Sequence, residues 1–363
     1  MYGNIERFAG EIQAGLARDR EEEERPRLET FSAAELQRMI LPPVQWLVDG
    51  LVVRGGLGVL AAPSKYGKSW LCLDLCRSIA TGQDFLGFQT SKARTLYLAL
   101  EDSKQRLQAR QRRQAPGDDA PENFEFALRS GTTATKLFAE LEEYVERYPD
   151  TALIVVDTLQ KIRGKTSSTN MYAEDYDEAG RLKEFADAHG LTILLVHHLR
   201  KMKDEDPFAM ISGSVGIMGA ADFACVLTKN KRQDEEAVLF ITGRDVEENE
   251  YKLRFEKEFC TWENIGTVAE VEDQRAKMYY TTDPIVTTIK ALLKADSTWT
   301  GSTKQFKQAV TATTGFDVSD NERAFSGKIS SYSALLNEYD FINYERISNG
   351  SGGGKHHFWK DST

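Results

Sequence analysis

The chain of 363 residues lacks the features that mark secreted and membrane proteins. It has four cysteines, none in CxxC spacing, and each falls in or beside an apolar run. Such thiols are predicted to be buried and reduced rather than paired in disulfides or bound to metal. No apolar stretch is long enough for a signal peptide or a membrane span, and acidic residues begin at Glu6. We therefore expect a cytoplasmic protein with no membrane partner.

An excess of positive charge is also missing. The formal net charge is −10, which argues against a surface that binds nucleic acid everywhere but leaves room for local basic loops. From Asp283 onward the chain has nine basic and nine acidic residues, so all of the net charge lies upstream. Together with the length, this change in character predicts three parts: a helical arm and linker at 1–35, a core at 36–280 and a small domain at 281–363.

What the chain does have is a phosphate-binding loop. Residues 62–69 read APSKYGKS, between the apolar run 58–62 and a segment with helical apolar spacing at 70–80. Gly67 lets the backbone approach phosphates, Lys68 reaches the β and γ phosphates, and the Ser69 hydroxyl ligates Mg²⁺. The pattern therefore predicts binding of ATP with Mg²⁺. The nucleotide contacts are expected at Ala62, Pro63, Ser64, Lys65, Tyr66, Gly67, Lys68, Ser69 and Trp70.

Ala62 departs from this pattern, which usually has glycine at that position. Alanine serves there if its φ angle is negative. The structural alternative for the whole motif is a tight turn before a helix.

Apolar runs and helical patterns alternate through the middle of the chain. Strands are predicted at 94–100, 151–156 and 191–196, with helical patterns such as 137–148 and 178–188 between them. Continuous apolar strands separated by helices predict a parallel sheet covered on both faces, with its ligand site at the carboxyl ends of the strands. Later strands are predicted at 223–228, 237–242 and 251–255.

Acidic and histidine side chains follow these strands. Asp157 ends an apolar strand as the Walker B type acid that holds Mg²⁺. Glu101 ends the strand next to the P-loop strand, where it orients the attacking water, and Asp102 is the neighbouring candidate for that role. His198 is the expected γ-phosphate sensor, because adjacent histidines on a strand point to opposite faces and chelate metal poorly. The structural alternatives are a helix cap for Asp157, a solvated loop acid for Glu101 and a core histidine for His198.

These motifs carry a family resemblance. Residues 62–69, Leu98–Asp102, Ile154–Thr158, Val196–His198 and 213–214 together resemble the RepA-like branch of the RecA/KaiC-type ATPases. These are hexameric replicative helicases of plasmids, phages and integrated elements. The resemblance runs from about residue 31 to 255 and implies a RecA-like α/β P-loop core with a mostly parallel sheet.

The resemblance also implies roles for arginines. The arginine at the adenine is Arg106 or Arg110, since both follow Glu101 on a helix. Ring helicases send a cation into the neighbouring subunit's site, but residues 215–224 contain no basic residue. Arg244 is the best substitute for this finger, with Lys229, Lys231 and Arg232 as further candidates, and a surface salt bridge is the alternative for Arg244.

Loops that face the centre of such a ring are expected to contact single-stranded DNA. Two short basic clusters follow the Walker B and sensor strands, and solvated loops are the alternative interpretation. Their members are Lys161, Arg163 and Lys165 in the first, and Arg200, Lys201 and Lys203 in the second.

The two ends are predicted to be attachments. Apolar residues recur at helical spacing between residues 5 and 16, as expected of an arm that packs on a neighbouring subunit or on its own core. At the other end, three helices (285–293, 303–310, 323–336) and a hairpin (341–347 with 357–360) predict a winged helix. Lys328, Lys355 and His356 would touch the DNA backbone, unless the domain docks protein instead.

The function that follows is an ATP-dependent, ring-forming DNA helicase in replication, an ATPase acting as a homo-hexamer on single-stranded DNA with a primase or initiator as a partner. Two alternatives remain open. One is a RecA/KaiC-like ATPase of DNA repair or recombination, and the other is an ATP-switched DNA-binding regulator without unwinding activity.

Overall fold

The computed structural model describes residues 28–361, apart from 29, 118–119, 165–170, 201–203, 212–213 and 349–353. The chain divides into two units, residues 1–45 and 46–363. In the described part of the first unit, helix α1 (Ala33–Arg38) begins with a capping box, in which the Ser32 hydroxyl accepts from the Glu35 N–H and the Glu35 carboxylate accepts from the Ser32 N–H. The helical arm predicted at residues 5–16 lies outside the described residues.

The second unit begins with a hairpin of β1 (Trp46–Val48) and β2 (Val52–Val53), after which strands and helices alternate. The strands of its large sheet are β3 (Gly56–Ala62), β4 (Arg94–Ala99), β5 (Phe124–Ala127), β6 (Thr151–Asp157), β7 (Thr192–His198), β8 (Phe223–Thr228), β9 (Glu236–Gly243), β10 (Asn249–Glu256) and β11 (Thr261–Thr267). The helices are α2 (Lys68–Thr81), α3 (Lys104–Gln114), α4 (Leu137–Arg147), α5 (Leu159–Ile162), α6 (Met171–His189), α7 (Ser214–Ala220) and α8 (Val268–Thr282).

The nine strands form one sheet in the order β11-β10-β9-β8-β3-β7-β6-β4-β5. The six strands from β8 to β5 are parallel, and β9, β10 and β11 extend the sheet in antiparallel fashion. The predicted α/β class and mostly parallel sheet are therefore confirmed. Strands β5 and β11 were not predicted, because β5 has only four residues and β11 contains Glu263, Asn264 and Gly266 in place of an apolar run.

Alternation along each central strand explains why the sheet is covered on both faces. Leu60 and Ala62 of β3 join one buried apolar cluster, which includes the apolar residues of α2. Leu57, Val59 and Ala61 join a second cluster, which includes those of α4 and α6. A strand with both faces buried reads as a continuous apolar run, which is why these strands could be predicted.

Glu101 was predicted to end the strand next to the P-loop strand. Along the chain, β4 is the next strand after β3, but in the sheet the two strands are not neighbours, so the predicted adjacency is wrong. Strand β3 is flanked by β7 and β8, and β4 is separated from it by β7 and β6. Parallel strands joined by helices need not be neighbours in the sheet, so sequence order alone does not give adjacency. Because the carboxyl ends of all these strands share one edge, Glu101 still lies near the P-loop.

Beyond α8, residues 284–360 pack around a third apolar cluster, and we call this region the C-terminal module. Its helices are α9 (Pro284–Ala295), α10 (Thr303–Thr314), α11 (Glu322–Ser331) and α12 (Ser333–Asp340), and its strands are β12 (Thr298–Ser302), β13 (Ile342–Ser348) and β14 (Gly354–Lys360). The strands form an antiparallel sheet in the order β12-β14-β13. The helix predicted at 323–336 is two helices that meet at Tyr332, and β12 was not predicted.

One predicted contact in this module is wrong. His356 is completely buried, so it is not available to a DNA backbone. Strand alternation turns His356 and Phe358 toward the core and leaves His357 and Lys355 more exposed. Lys328 is half-exposed and lies 3.7 Å from an Asp283 carboxylate oxygen.

All four cysteines are buried and free, as predicted. Within the described ranges, no helix combines the length and the apolar character needed to cross a bilayer.

Candidate active site

The P-loop connects the end of β3 to the start of α2. Ala62 closes β3 and is not among the residues with positive φ, so the alanine is accommodated as expected. The turn is made instead by Lys65, with φ of 68°, and by Gly67, with φ of 99°, which caps α2 at its amino end. The strand end, the glycine turn and the helix start follow one another directly. In this arrangement the backbone N–H groups at the start of α2 point toward a bound anion.

Lys68 is the buried cation of the site, with 6% of its surface exposed. Its Nζ donates to the carbonyl oxygens of Ala62 at 2.7 Å and Pro63 at 3.2 Å, and lies 3.4 Å from His198 Nδ1. Burial lowers the pKa of Lys68, and the nearby Asp157 charge opposes that effect. An arriving phosphate would give this ammonium a full countercharge.

Ser69 and Asp157 lie together in a cleft that the P-loop also lines. The Ser69 hydroxyl donates to Asp157 Oδ2 at 2.8 Å, although the two residues are 88 positions apart in the chain. Asp157 is 7% exposed, and its Oδ2 also accepts a 2.6 Å hydrogen bond from the Tyr97 hydroxyl. A hydroxyl and a carboxylate at this distance suit Mg²⁺, which binds few protein oxygens and keeps its waters. The described residues contain no group of three or more His, Cys, Asp or Glu side chains that could hold a metal ion.

Tyr97 is a site residue that sequence reasoning missed. It lies in the middle of β4 and is fully buried, and burial next to Asp157 raises its pKa well above the ordinary value. The phenol therefore remains a hydrogen-bond donor to the carboxylate. Within an apolar strand a tyrosine reads as core, so only the pairing of β4 with β6 reveals the contact.

Glu101 lines the cleft with its carboxylate half-exposed, and Lys161 Nζ lies 3.8 Å from Glu101 Oε1. The neighbouring Asp102 is turned away into ion pairs with Arg106 at 2.8 Å and Arg110 at 2.7 Å. Of the two arginines, Arg110 lines the cleft and lies over the Trp70 ring at 5.3 Å, whereas Arg106 is exposed. The geometry favours Arg110 for the base and Glu101 over Asp102 for water.

The two histidines at the end of β7 point to opposite sides. His197 is buried, and His198 lines the cleft beside Lys68. Burial and the Lys68 charge lower the pKa of His198, so its ring is neutral near pH 7. A neutral imidazole next to the P-loop lysine fits the predicted sensor position.

The cleft has a volume of about 410 Å³, and one wall of it was not predicted. Trp262 of β11, Phe255 of β10 and Lys229 line it. The rings of Phe255 and Trp262 are 5.0 Å apart, and the Lys229 ammonium lies over both. The three residues come together only because the antiparallel strands fold back beside the P-loop. In the sequence, the aromatic and apolar residues around position 255 were the only feature that indicated this wall of the cleft.

Arg244 is distant from the cleft of its own chain. It follows β9 at the opposite edge of the sheet, where its guanidinium lies 3.3 Å from Asp222. Its side chain is 59% exposed, which leaves it accessible to another subunit. Its role as a finger stays a prediction.

The predicted DNA-contacting residues differ in availability. Lys161 is half-exposed, and Arg200 pairs with Asp204 at 2.7 Å on the surface. Arg163 is 18% exposed and pairs with Asp175 at 2.6 Å. Lys165, Lys201, Lys203 and Gly213 lie outside the described residues.

A P-loop with a buried lysine, a serine–aspartate pair for Mg²⁺, a glutamate and a histidine at one edge of a mostly parallel sheet is the arrangement of a P-loop ATPase. The model of the AAA domain family matches residues 22–204, just over half of the chain. The chain belongs to the AAA domain family, and it is an ATPase that binds nucleotide.

Two solved structures are similar to this chain at low identity. One is a DnaB-like replicative helicase, described with its interactions with primase, at 16% identity and a TM-score of 0.47 over 58% of each chain. The other is the ATPase domain of a phage protein, at 14% identity and a TM-score of 0.48, covering 70% of this chain and 98% of that one. This chain thus spans little more than half of the helicase, and the family assignment rests on the sequence match. No curated protein matches the chain.

Proposed function

We propose that this ATPase is a ring-forming DNA helicase of RepA-like type that hydrolyses ATP to translocate on single-stranded DNA during replication. The observation that carries the proposal is the convergence of Lys68, Ser69, Asp157, Glu101 and His198 on one cleft next to the basic side chain of Lys161. A homo-hexamer, Mg²⁺ and a primase or initiator as a partner belong to the same proposal.

ATP binding would use groups that are already in place. Lys68 exchanges backbone carbonyls for phosphate oxygens, and the N–H groups at the start of α2 provide further donors. Ser69 and Asp157 would hold Mg²⁺, which would supply positive charge to neutralise the phosphates. Arg110 and the aromatic Trp70 are the groups proposed to contact the base.

Hydrolysis needs an oriented water, and Glu101, which lines the cleft, is the carboxylate proposed for this role, since Asp102 is held by two arginines. Glu101 Oε1 lies 3.8 Å from the ammonium of Lys161, one of the residues proposed for DNA. A DNA phosphate that attracts Lys161 would release Glu101 toward the cleft. This competition gives a physical reason for stimulation of hydrolysis by DNA.

Sensing of the γ-phosphate is assigned to His198. Its ring contacts Lys68 on one side, and the chain continues through Leu199, which pairs with Ile211, to the second basic segment at Arg200. His198, at the proposed γ-phosphate position, is thus close in the chain to Arg200, a proposed DNA contact, and this short connection would link the two sites.

In the ring, Arg244 would reach the cleft of the neighbouring subunit. Its exposure and its distance from its own cleft are what this role requires. The C-terminal module is proposed to be a winged helix that contacts DNA or protein through Lys328 and Lys355.

Hydrolysis measured with and without single-stranded DNA tests the proposal, with Lys68→Ala as the blank. The mass of the protein is determined in parallel with a non-hydrolysable ATP analogue. Strong stimulation by DNA in a hexamer, followed by strand displacement from a forked duplex, is the expected result. A DNA-indifferent monomer or dimer would contradict the helicase proposal.

The second candidate is an ATP-switched DNA-binding regulator. It is favoured by the Arg244–Asp222 ion pair, which would keep the proposed finger out of a neighbour's site. Slow hydrolysis that is independent of DNA and of protein concentration would support it.

A further inference from the structure

Trp262 packs directly against the P-loop at Gly67. It is 4% exposed, and its indole Nε1 donates to the carbonyl oxygen of Gly67 at 3.4 Å. A Cβ atom added to Gly67 would lie 2.9 Å from Trp262 Cζ2, so the ring fills the space in which any other side chain would stand. Gly67 thus has two reasons to be glycine, its φ of 99° and this close approach.

The indole ring is fixed by its other neighbours. The Phe255 ring packs against it at 62°, and the Lys229 ammonium lies 5.0 Å from its centre. Lys229 in turn donates to the Asp234 carbonyl at 2.8 Å, which anchors the cation to the turn between β8 and β9. A cation over an indole face is an attractive contact that also restricts the ring's orientation.

The turn before Trp262 is also tied to the P-loop helix. Cys260 has a φ of 54°, which is rare for a residue with a side chain, and its carbonyl accepts from Gln114 Nε2 at 3.3 Å. The same nitrogen donates to the Trp70 carbonyl in the first turn of α2 at 2.9 Å. Gln114, 6% exposed, therefore joins the start of β11 to α2 beside Trp262.

We propose that Trp262 is a positioning residue of the P-loop, which fixes the Gly67 peptide so that the N–H groups at the start of α2 are aimed at phosphate before the ligand arrives. The Gly67 carbonyl also accepts from Leu71 N–H at 3.0 Å, so the indole acts on the first hydrogen bond of the helix. Because the loop is ordered in advance, less ordering is required on binding, which favours affinity. The proposal rests on the proposed ATP site and deepens it.

A contact with the adenine ring is the competing role, because Trp262 lines the same cleft. Inorganic tripolyphosphate separates the two roles, since it has the phosphates of ATP and no base. A residue that orders the P-loop affects both ligands, whereas a residue that stacks on the base affects ATP alone.

The test measures binding of Mg²⁺ with ATP and with tripolyphosphate by calorimetry, on the full chain. The variants are Trp262→Phe, Trp262→Leu and Gln114→Leu, and Trp46→Phe is the control for loss of an indole in the same apolar cluster. We expect both ligands to bind about fivefold more weakly to Trp262→Phe, the effect of one hydrogen bond, and weaker still to Trp262→Leu. Trp46→Phe should bind like the wild type, and thermal unfolding identifies any variant that fails to fold.

Gln114→Leu replaces Trp262→Leu in the test if the latter is unfolded. It removes the hydrogen bonds that fix the turn before Trp262 and retains the indole ring. A change of indole emission on addition of tripolyphosphate, present in the wild type and absent in Trp262→Phe, would report the same contact. Loss of ATP affinity with unchanged tripolyphosphate affinity would overturn the proposal in favour of base contact, and unchanged binding of both would overturn it outright. If the wild type binds neither ligand, the proposed ATP site itself is wrong.

Discussion

The nucleotide cleft and the C-terminal module each bury a basic side chain, Lys68 in the cleft and His356 in the module, but in different surroundings. In the cleft, the Lys68 ammonium is held by backbone carbonyls and by a histidine nitrogen, and no carboxylate among the described residues is in direct contact with it. In the module, His356 is completely buried and both ring nitrogens are hydrogen-bonded, Nε2 with Thr303 Oγ1 and Nδ1 with the Tyr344 hydroxyl, each at 3.0 Å.

The difference distinguishes Lys68, a buried group that would bind a ligand, from His356, a buried group that stabilises the fold. Burial lowers the pKa of both. For Lys68 the hydrogen bonds come from neutral groups, so a phosphate oxygen would add a charged partner to this buried ammonium. For His356 the neutral ring is satisfied, and its burial contributes to the stability of the module.

The largest expected effect concerns the cleft. Glu101→Gln should lower the rate of ATP hydrolysis about 10²- to 10³-fold and leave nucleotide binding nearly unchanged, because a carboxylate that orients water acts only in the reaction step. The turnover number and the ATP dissociation constant are measured side by side. Glu122→Gln, an exposed glutamate outside the cleft, is the control. A loss of binding equal to the loss of rate would mean that Glu101 holds the ligand instead.

The next effect concerns the module and its pH dependence. The folded-state pKa of His356 is lowered to about 4 by burial, below the usual 6.5, so the unfolded chain binds more protons between these values. Stability is fully present above pH 6.5 and is lost as the pH falls toward 4, by on the order of 2 kcal/mol. Urea unfolding at several pH values measures it.

His356→Gln should remove this part of the acid sensitivity, and His357→Gln is the matched control, since that ring is on the outer side of the same strand. Equal pH dependence in the wild type and in His356→Gln would show that the buried histidine does not titrate as described.

A smaller effect tests the missed residue of the cleft. Tyr97→Phe removes a buried donor to Asp157 and should raise the Mg²⁺ concentration needed for ATP binding about tenfold, as for other groups that orient a metal ligand. Removal of Mg²⁺ with a chelator should abolish the difference from the wild type. Tyr148→Phe, whose ring lies against Arg94 away from the cleft, should behave as the wild type does.

The smallest effect concerns DNA. Lys161→Gln should decrease the salt dependence of single-strand binding by about 0.7 in the logarithmic slope, as expected when one phosphate is no longer neutralised. The same change should raise hydrolysis in the absence of DNA, because Glu101 loses its ion-pair partner. Lys136→Gln, which breaks an exposed pair with Glu140, is the control. A salt slope identical to that of the wild type would remove Lys161 from the DNA surface.

The features of the fold and the site that could be predicted from the sequence are those encoded by residues close together in the chain. The P-loop, the Walker B strand and the parallel sheet could be predicted because apolar runs, glycine spacing and the acids that follow are contiguous in the chain. Tyr97, Trp262 and Gln114 could not, since their contacts depend on strand order and on a turn at Cys260 with no sequence signature. His356 was misplaced because adjacent histidines do not reveal which one faces the core.

The most direct test of the account is calorimetric binding of ATP in the presence of Mg²⁺ to the wild type and to Lys68→Ala, with Lys104→Ala as an exposed-lysine control. We predict binding by the wild type and by Lys104→Ala, and an affinity lower by at least about 10²-fold in Lys68→Ala, because a buried charge-assisted contact is removed. Equal affinity in all three proteins would contradict the claim that the buried lysine is held there for phosphate.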